Sequence, residues 1–142
     1  MGHAALSIAI ENKFKVAWGA TTSVRYDNVP FTVPTTSWVS IETMEGDSIT
    51  GSLGGTIKLR RTLGSVVIRI YTPIGDGSKP ARTYADSVKL IFRDLQISGI
   101  TFKEGSSKRV GEVYYSATGA ASETAQWYQM LVVIPFHYDE FV

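Results

Sequence analysis

The sequence has 142 residues, the length of one ordinary domain, and 44% of them are hydrophobic against 19% charged, a balance too apolar for a disordered chain. Fourteen Lys and Arg face thirteen Asp and Glu, a net charge of +1, so the large cationic excess of a protein that grips nucleic acid through many phosphates is missing. Cysteine is absent, which excludes disulfides, thiolate metal sites and a cysteine nucleophile.

Leu6, Ile10, Phe14 and Trp18 recur every four residues, with Glu11, Asn12, Lys13 and Lys15 elsewhere on the wheel, which predicts an amphipathic helix over residues 4–18 with Gly19 as its C-cap. Pro30 and Pro34 hold their neighbours extended and withhold two backbone donors, so residues 28–34 read as an extended connector. Three strands are expected next, at 37–43, 48–60 and 63–72, the last two forming a hairpin. Its first arm carries Gly51, Gly54 and Gly55 and is expected to project or to lie at a sheet edge, with Lys58, Arg60 and Arg61 at the tip.

A turn-rich run over 73–80 leads to a second helix, capped by Ser78 or Lys79 with Pro80 in its first turn, and with an apolar stripe of Ala81, Tyr84, Ala85, Val88, Ile91, Phe92 and Leu95. Strands at 96–102, 108–118 and 124–138 follow. Both alternating sets of the last are largely apolar, so it should be central and covered on both faces. These elements predict one α+β domain over residues 1–142: a mixed, mostly antiparallel sheet of about six strands, two amphipathic helices packed on it, and a projecting β-hairpin.

Catalytic constellations are sparse. His137 and Asp139 share a strand face, but no nucleophile elbow accompanies them, and with Glu140 they lack the spacing of a recognised metal site. The glycine runs at 51–55 and 75–79 match neither a P-loop nor G-x-G-x-x-G and read as turns. Glu42, Glu45 and Asp47 would need pairing in a cleft to act as acid and base. The reading is therefore non-enzymatic, without metal or cofactor. Basic residues gather at Lys58, Arg60 and Arg61 and again at Lys103, Lys108 and Arg109; a ring of such chains could line its bore with one sign of charge.

One resemblance spans residue 29 to the C-terminus, with the N-terminal helix also in place. The order Gly46-Asp47, Ser52-Leu53-Gly54, Val66 to Tyr71, Thr72-Pro73-Ile74-Gly75-Asp76-Gly77, Ala85-Asp86 in a helix ending at Phe92, and Trp127-Tyr128-Gln129 running to Ile134-Pro135-Phe136-His137-Tyr138-Asp139-Glu140 resembles phage and prophage tail terminators of the lambda type. The resemblance implies a small α+β subunit that forms a homo-oligomeric, hexameric ring on the last ring of a tail tube, stops polymerisation and offers a surface to the head–tail connector, with DNA passing through unread. The implied places are the virion tail and, during assembly, the host cytoplasm. That agrees with the absence of a signal-like N-terminus and of any apolar run near the ~20 residues of a membrane helix. Lys58, Arg60, Arg61, Lys108 and Arg109 are the candidate bore or subunit contacts. The competing expectations are another head–tail joining or tube subunit, or a small ligand-binding module or hydrolase with a cleft near His137.

Overall fold

A computed structural model describes residues 3–50, 59–113 and 127–141. Helix α1 (His3–Trp18) buries the stripe Leu6, Ile10, Phe14 and Trp18, as the four-residue spacing requires. It stops at Gly19, whose left-handed φ of +58° suits a residue without Cβ and brings its N–H 3.1 Å from the Lys15 carbonyl. Helix α2 (Lys79–Phe92) starts after Ser78 with Pro80 in its first turn and buries Ala81, Ala85, Val88 and Phe92. Arg93 is extended and Asp94 left-handed at φ +53°, so the helix ends before Leu95, the last residue of the expected stripe. Leu95 instead accepts the Phe102 N–H at 3.0 Å and packs at the core's margin.

The strands are β1 (Ser23–Tyr26), β2 (Trp38–Thr50), β3 (Leu59–Pro73), β4 (Gln96–Ile97), β5 (Ile100–Phe102), β6 (Ser106–Val113) and β7 (Trp127–Phe141). They form one sheet in the order β1-β2-β3-β7-β5-β4, and β6 pairs with β7 beside β5. Only β1–β2 is parallel; every other pairing among the described strands is antiparallel. The α+β class with two helices on a mostly antiparallel sheet is as expected.

Several boundaries move, each for a local reason. The strands expected at 37–43 and 48–60 are largely one strand, β2, in which Gly46 and Asp47 form a register shift between Glu45 and Ser48. The hairpin connection therefore falls among residues 51–58, outside the described residues, and Arg60 and Arg61 are not at a tip. They lie inside β3, paired with Thr50 and Ile49 on one side and with Glu140 and Asp139 on the other. The strand expected at 96–102 is broken by Ser98 and Gly99, both at positive φ (49° and 83°), which is the turn that favours a two-residue hairpin. Strand β1 was not anticipated; four residues of Ser-Val-Arg-Tyr carry too short an alternation. Beyond Val113 the expected strand at 108–118 lies outside the described residues.

β7 is central, bonded to β3 across fifteen residue pairs and to β5 and β6 on its other edge. Its set Met130, Val132, Ile134, Phe136 and Tyr138 is buried with Val39, Ile41, Val66, Ile68 and Ile70 against the two helices. The opposite set is covered only in part. Trp127 and its neighbours Trp38 and Tyr71 form a second, aromatic cluster under Phe31 and Val33 of the connector; the Trp38 and Tyr71 rings stack at 4.0 Å and Trp127 meets Trp38 edge-on at 6.0 Å. Further along that face Leu131 and Val133 are half-buried and Pro135 is exposed, with Met44 and Leu63 exposed beside them. Among the described residues the connector reaches over one end of the face, and Val67 farther along it is buried.

Gly64 sits in β3 between Glu45 of β2 and Phe136 of β7. A Cβ there would stand 2.6 Å from the Met44 carbonyl and 2.7 Å from the Phe136 ring, so the phenyl group lies directly over the bare backbone.

Candidate functional site

Consecutive strand residues point to opposite faces, and Arg60 and Arg61 obey that rule. On the open face the Arg61 guanidinium makes a two-pronged contact with Asp139, Nε to Oδ1 at 2.7 Å and Nη2 to Oδ2 at 2.9 Å. These bonds hold the Asp139 carboxyl below its ordinary range and push the Arg61 guanidinium up. On the helix-covered face Arg60 stands directly across from Glu140, which also accepts the Tyr138 hydroxyl at 3.2 Å. Burial and the Glu140 hydrogen bond raise the Tyr138 phenol. Arg61 thus meets Asp139 on the open face, while Arg60 stands opposite Glu140 on the other face in the register of β3 against β7.

His137 lies on the open face two residues before Asp139, with Nε2 3.9 Å from Oδ2, too far for a hydrogen bond. The Asp139 oxygens are taken by Arg61, so the His137–Asp139 pair is not arranged as a base and its orienting group. Among the described residues no three metal-ligating side chains converge. Farther along the same face Arg69 pairs with Glu42 across β2 and β3, beside a small polar cleft that includes Ser40 and Asp27. Glu42 is thereby committed to the sheet; Glu45 lies on the opposite face, and the side chain of Asp47 is outside the described residues.

The two basic groups expected from the sequence divide. Lys58 lies outside the described residues. Arg60 and Arg61 come together with Glu140 and Asp139. On β6, Lys108 is exposed across from Leu131, while the Arg109 guanidinium lies 5.8 Å from the Tyr128 ring centroid and borders Gly111, whose φ is +102° at a register shift. The two groups lie on different strands, across from opposite parts of β7, Arg60 and Arg61 from Glu140 and Asp139 and Lys108 and Arg109 from Leu131 and Met130, and form no single cluster. Sequence reasoning missed Asp139, Glu140 and Tyr128 as partners of these cations. The available signal was the Arg60-Arg61 dipeptide matched by Asp139-Glu140 in a second long strand.

The loop between β3 and α2 is a turn, with Gly75 and Gly77 at φ +102° and +74°. It frames a cavity of about 290 Å³ lined by Pro73, Ile74, Ser78, Glu112 and Tyr128. The other glycine run, 51–55, lies outside the described residues. The outer side of α1 is also uncovered: Ile8 and Val16 are 56% and 83% exposed. Nothing in the periodicity of the buried stripe announces this second apolar side.

No curated protein matches the chain. Thirteen chains of solved structures do; one of them, whose name states no function, is 21% identical, covers 92% of this chain and 92% of its own length, and superposes with a TM-score of 0.54, a likeness of fold. A family model described as phage tail terminator protein matches residues 3–136, nearly the whole sequence, so this chain belongs to the phage tail terminator family.

Proposed function

We propose that the chain caps the phage tail tube as a homo-oligomeric ring of six copies, ends tube polymerisation and offers the surface to which the head–tail connector joins. The observation that carries this reading is the family match over residues 3–136. The chain acts by assembly, without turnover or cofactor, as one domain made in the host cytoplasm and retained in the virion tail, with DNA passing through the ring unread. The geometry supports a subunit built for contacts: a sheet face half covered by its own connector, and a helix with apolar residues on two sides.

Of the five basic candidates, Lys108 and Arg109 are exposed and have no carboxylate within ion-pair distance among the described residues; Arg109 lies by the Tyr128 ring, and we assign Lys108 the bore or neighbour contact. Arg60, Arg61 and Arg109 serve the sheet first, and Lys58 stays in the candidate set on charge alone.

The test is tail length by negative-stain electron microscopy after induction of the source phage with this gene deleted, beside a complemented control. Overlong headless tubes restored to uniform length by complementation are expected. Normal tails joined to heads would overturn the reading, and a total absence of tails would move the chain to the tube or the baseplate.

A further inference from the structure

We infer that a bulge in β6, held by the Arg109 guanidinium over Gly111, guards the outer edge of the sheet against pairing with a strand of another copy. Of the strands that end the sheet, β1 has four residues and β4 two, too short to template a partner, whereas β6 runs for eight. Among the described residues β6 pairs with β7 alone, which leaves the backbone groups of its outer side open. That edge is interrupted. Arg109 pairs with Met130 and Gly111 with Gln129, so Val110 is an extra residue with no partner across the ladder. The edge is left as the stretches 106–109 and 111–113, each shorter than an ordinary strand of about 5–6 residues.

The other register shift of the described sheet has the same placement. Gly46 and Asp47 stand against Leu63 alone, on β2 past Ile41, where the pairing with β1 ends and the outer side is open among the described residues. In both cases the extra residue belongs to the strand with an open side, while β3 and β7 run against each other without a break. On β6 the bulge is held in place. Gly111 stands at φ +102°, which glycine reaches without strain, and Nη1, Cζ and Nη2 of Arg109 lie 3.2, 3.3 and 3.3 Å from where a Cβ would be. The guanidinium therefore lies across the bare backbone, with the Tyr128 ring centroid 5.8 Å away, and Gly111 is buried although its strand is at the edge. Charge adds to shape. Lys108 and Arg109 are exposed on opposite faces of the strand, and two such edges brought together antiparallel at this point set Lys108 against Lys108 or Arg109 against Arg109.

Deletion of Val110 with Gly111→Thr makes the ladder continuous and leaves every other β6 residue across from its present partner. Full-length chains of this variant, of Arg109→Thr and of the wild type are compared by sedimentation velocity and thioflavin T fluorescence over time, with melting followed by circular dichroism as the check on folding. The wild type should keep one size. The deletion variant should melt cooperatively yet grow without limit, with an onset at about tenfold lower concentration. In the grown material the amides of residues 106–113 should exchange more slowly than in the single copy, because strand pairing protects them. Arg109→Thr, which leaves the chain length intact, should show the same growth more weakly, and it decides the matter if the deletion variant does not fold. Lys108 is unchanged in both variants, so the contact assigned to it is undisturbed.

Folded variants that all stay at the wild-type size, or growth without slowed exchange at 106–113, would overturn the guard. It acts on single copies before any assembly, so its failure leaves the ring reading standing, and a failure of the ring reading leaves the guard.

Discussion

Replacing Phe14 with Ala asks whether a single apolar stripe holds α1 on the molecule. The Phe14 side chain is fully buried, its ring centroid 5.4 Å from that of Trp18 and 6.4 Å from that of Phe92, so it joins the two helices and the sheet. An aromatic side chain buries roughly 150–250 Å². Truncation to a methyl group returns most of that, worth about 3 kcal/mol at ~25 cal/mol/Å². The ring's neighbours are themselves stacked aromatics that cannot collapse into the gap, which adds a cavity cost and gives an expected loss of about 3–5 kcal/mol. In a chain of this size that is a fall of about 10–17 °C in Tm. Urea unfolding followed by circular dichroism and by tryptophan fluorescence measures it, with Val16→Ala as the exposed control, expected to change stability by less than about 0.5 kcal/mol. A Phe14→Ala loss below about 1 kcal/mol at unchanged m-value would refute the packing argument for α1.

Gly64→Ala should cost about 1–3 kcal/mol in urea unfolding, because the added methyl meets a carbonyl and a ring at under 3 Å; substitution at Gly19, with nothing within 4 Å, should show only the smaller strain of its positive φ. The folded-state carboxyl of Asp139 titrates below its ordinary value, so the unfolded chain binds that proton first; the Arg61–Asp139 contact therefore contributes stability above the ordinary aspartate range and loses it as pH falls through the folded value. Asp139→Asn should flatten that part of an acid melting series, and an unchanged acid limb would dismiss the contact. Arg60→Glu with Arg61→Glu sets like charges against Glu140 and Asp139 and should lower both melting temperature and tail capping, whereas exchange of Arg61 and Asp139 should restore most of the melting temperature. His137→Gln should leave assembly intact, measured as tail length in a complemented deletion.

Regular segments were legible because their signals are local. The four-residue spacing from Leu6 to Trp18, the Pro80 start of α2 and the two-sided apolar alternation of β7 each predict an element that is present. What escaped depends on partners distant in sequence. Arg60 and Arg61 read as a hairpin tip until Asp139 and Glu140 arrive from 78 or more residues away and pin them in a ladder. The end of α2 was placed too late because Leu95 continues the apolar rhythm while the backbone, left-handed at Asp94, does not. Covering of β7 on both faces failed in part because periodicity reports which side chains want burial, and not whether the connector is long enough to reach them. The family resemblance rested on the order of short motifs, each of which marks a turn or a strand start, and that order survives where boundaries shift.

The position of β7 also governs when the molecule can fold. Its register with β3, β5 and β6 supplies the middle of the sheet, and most of those pairs join residues separated by tens of positions. Folding through such non-local pairing is slow, since loop-closure entropy is spent before the ladder returns it. A nascent chain that has not yet released Trp127–Phe141 holds β3 with one edge unpaired and α2 without the strand it packs on most. Assembly-competent subunits thus arise only after translation has passed the last strand, and a ribosome stalled earlier yields a chain with open edges, prone to aggregation or proteolysis before it can reach a growing tail.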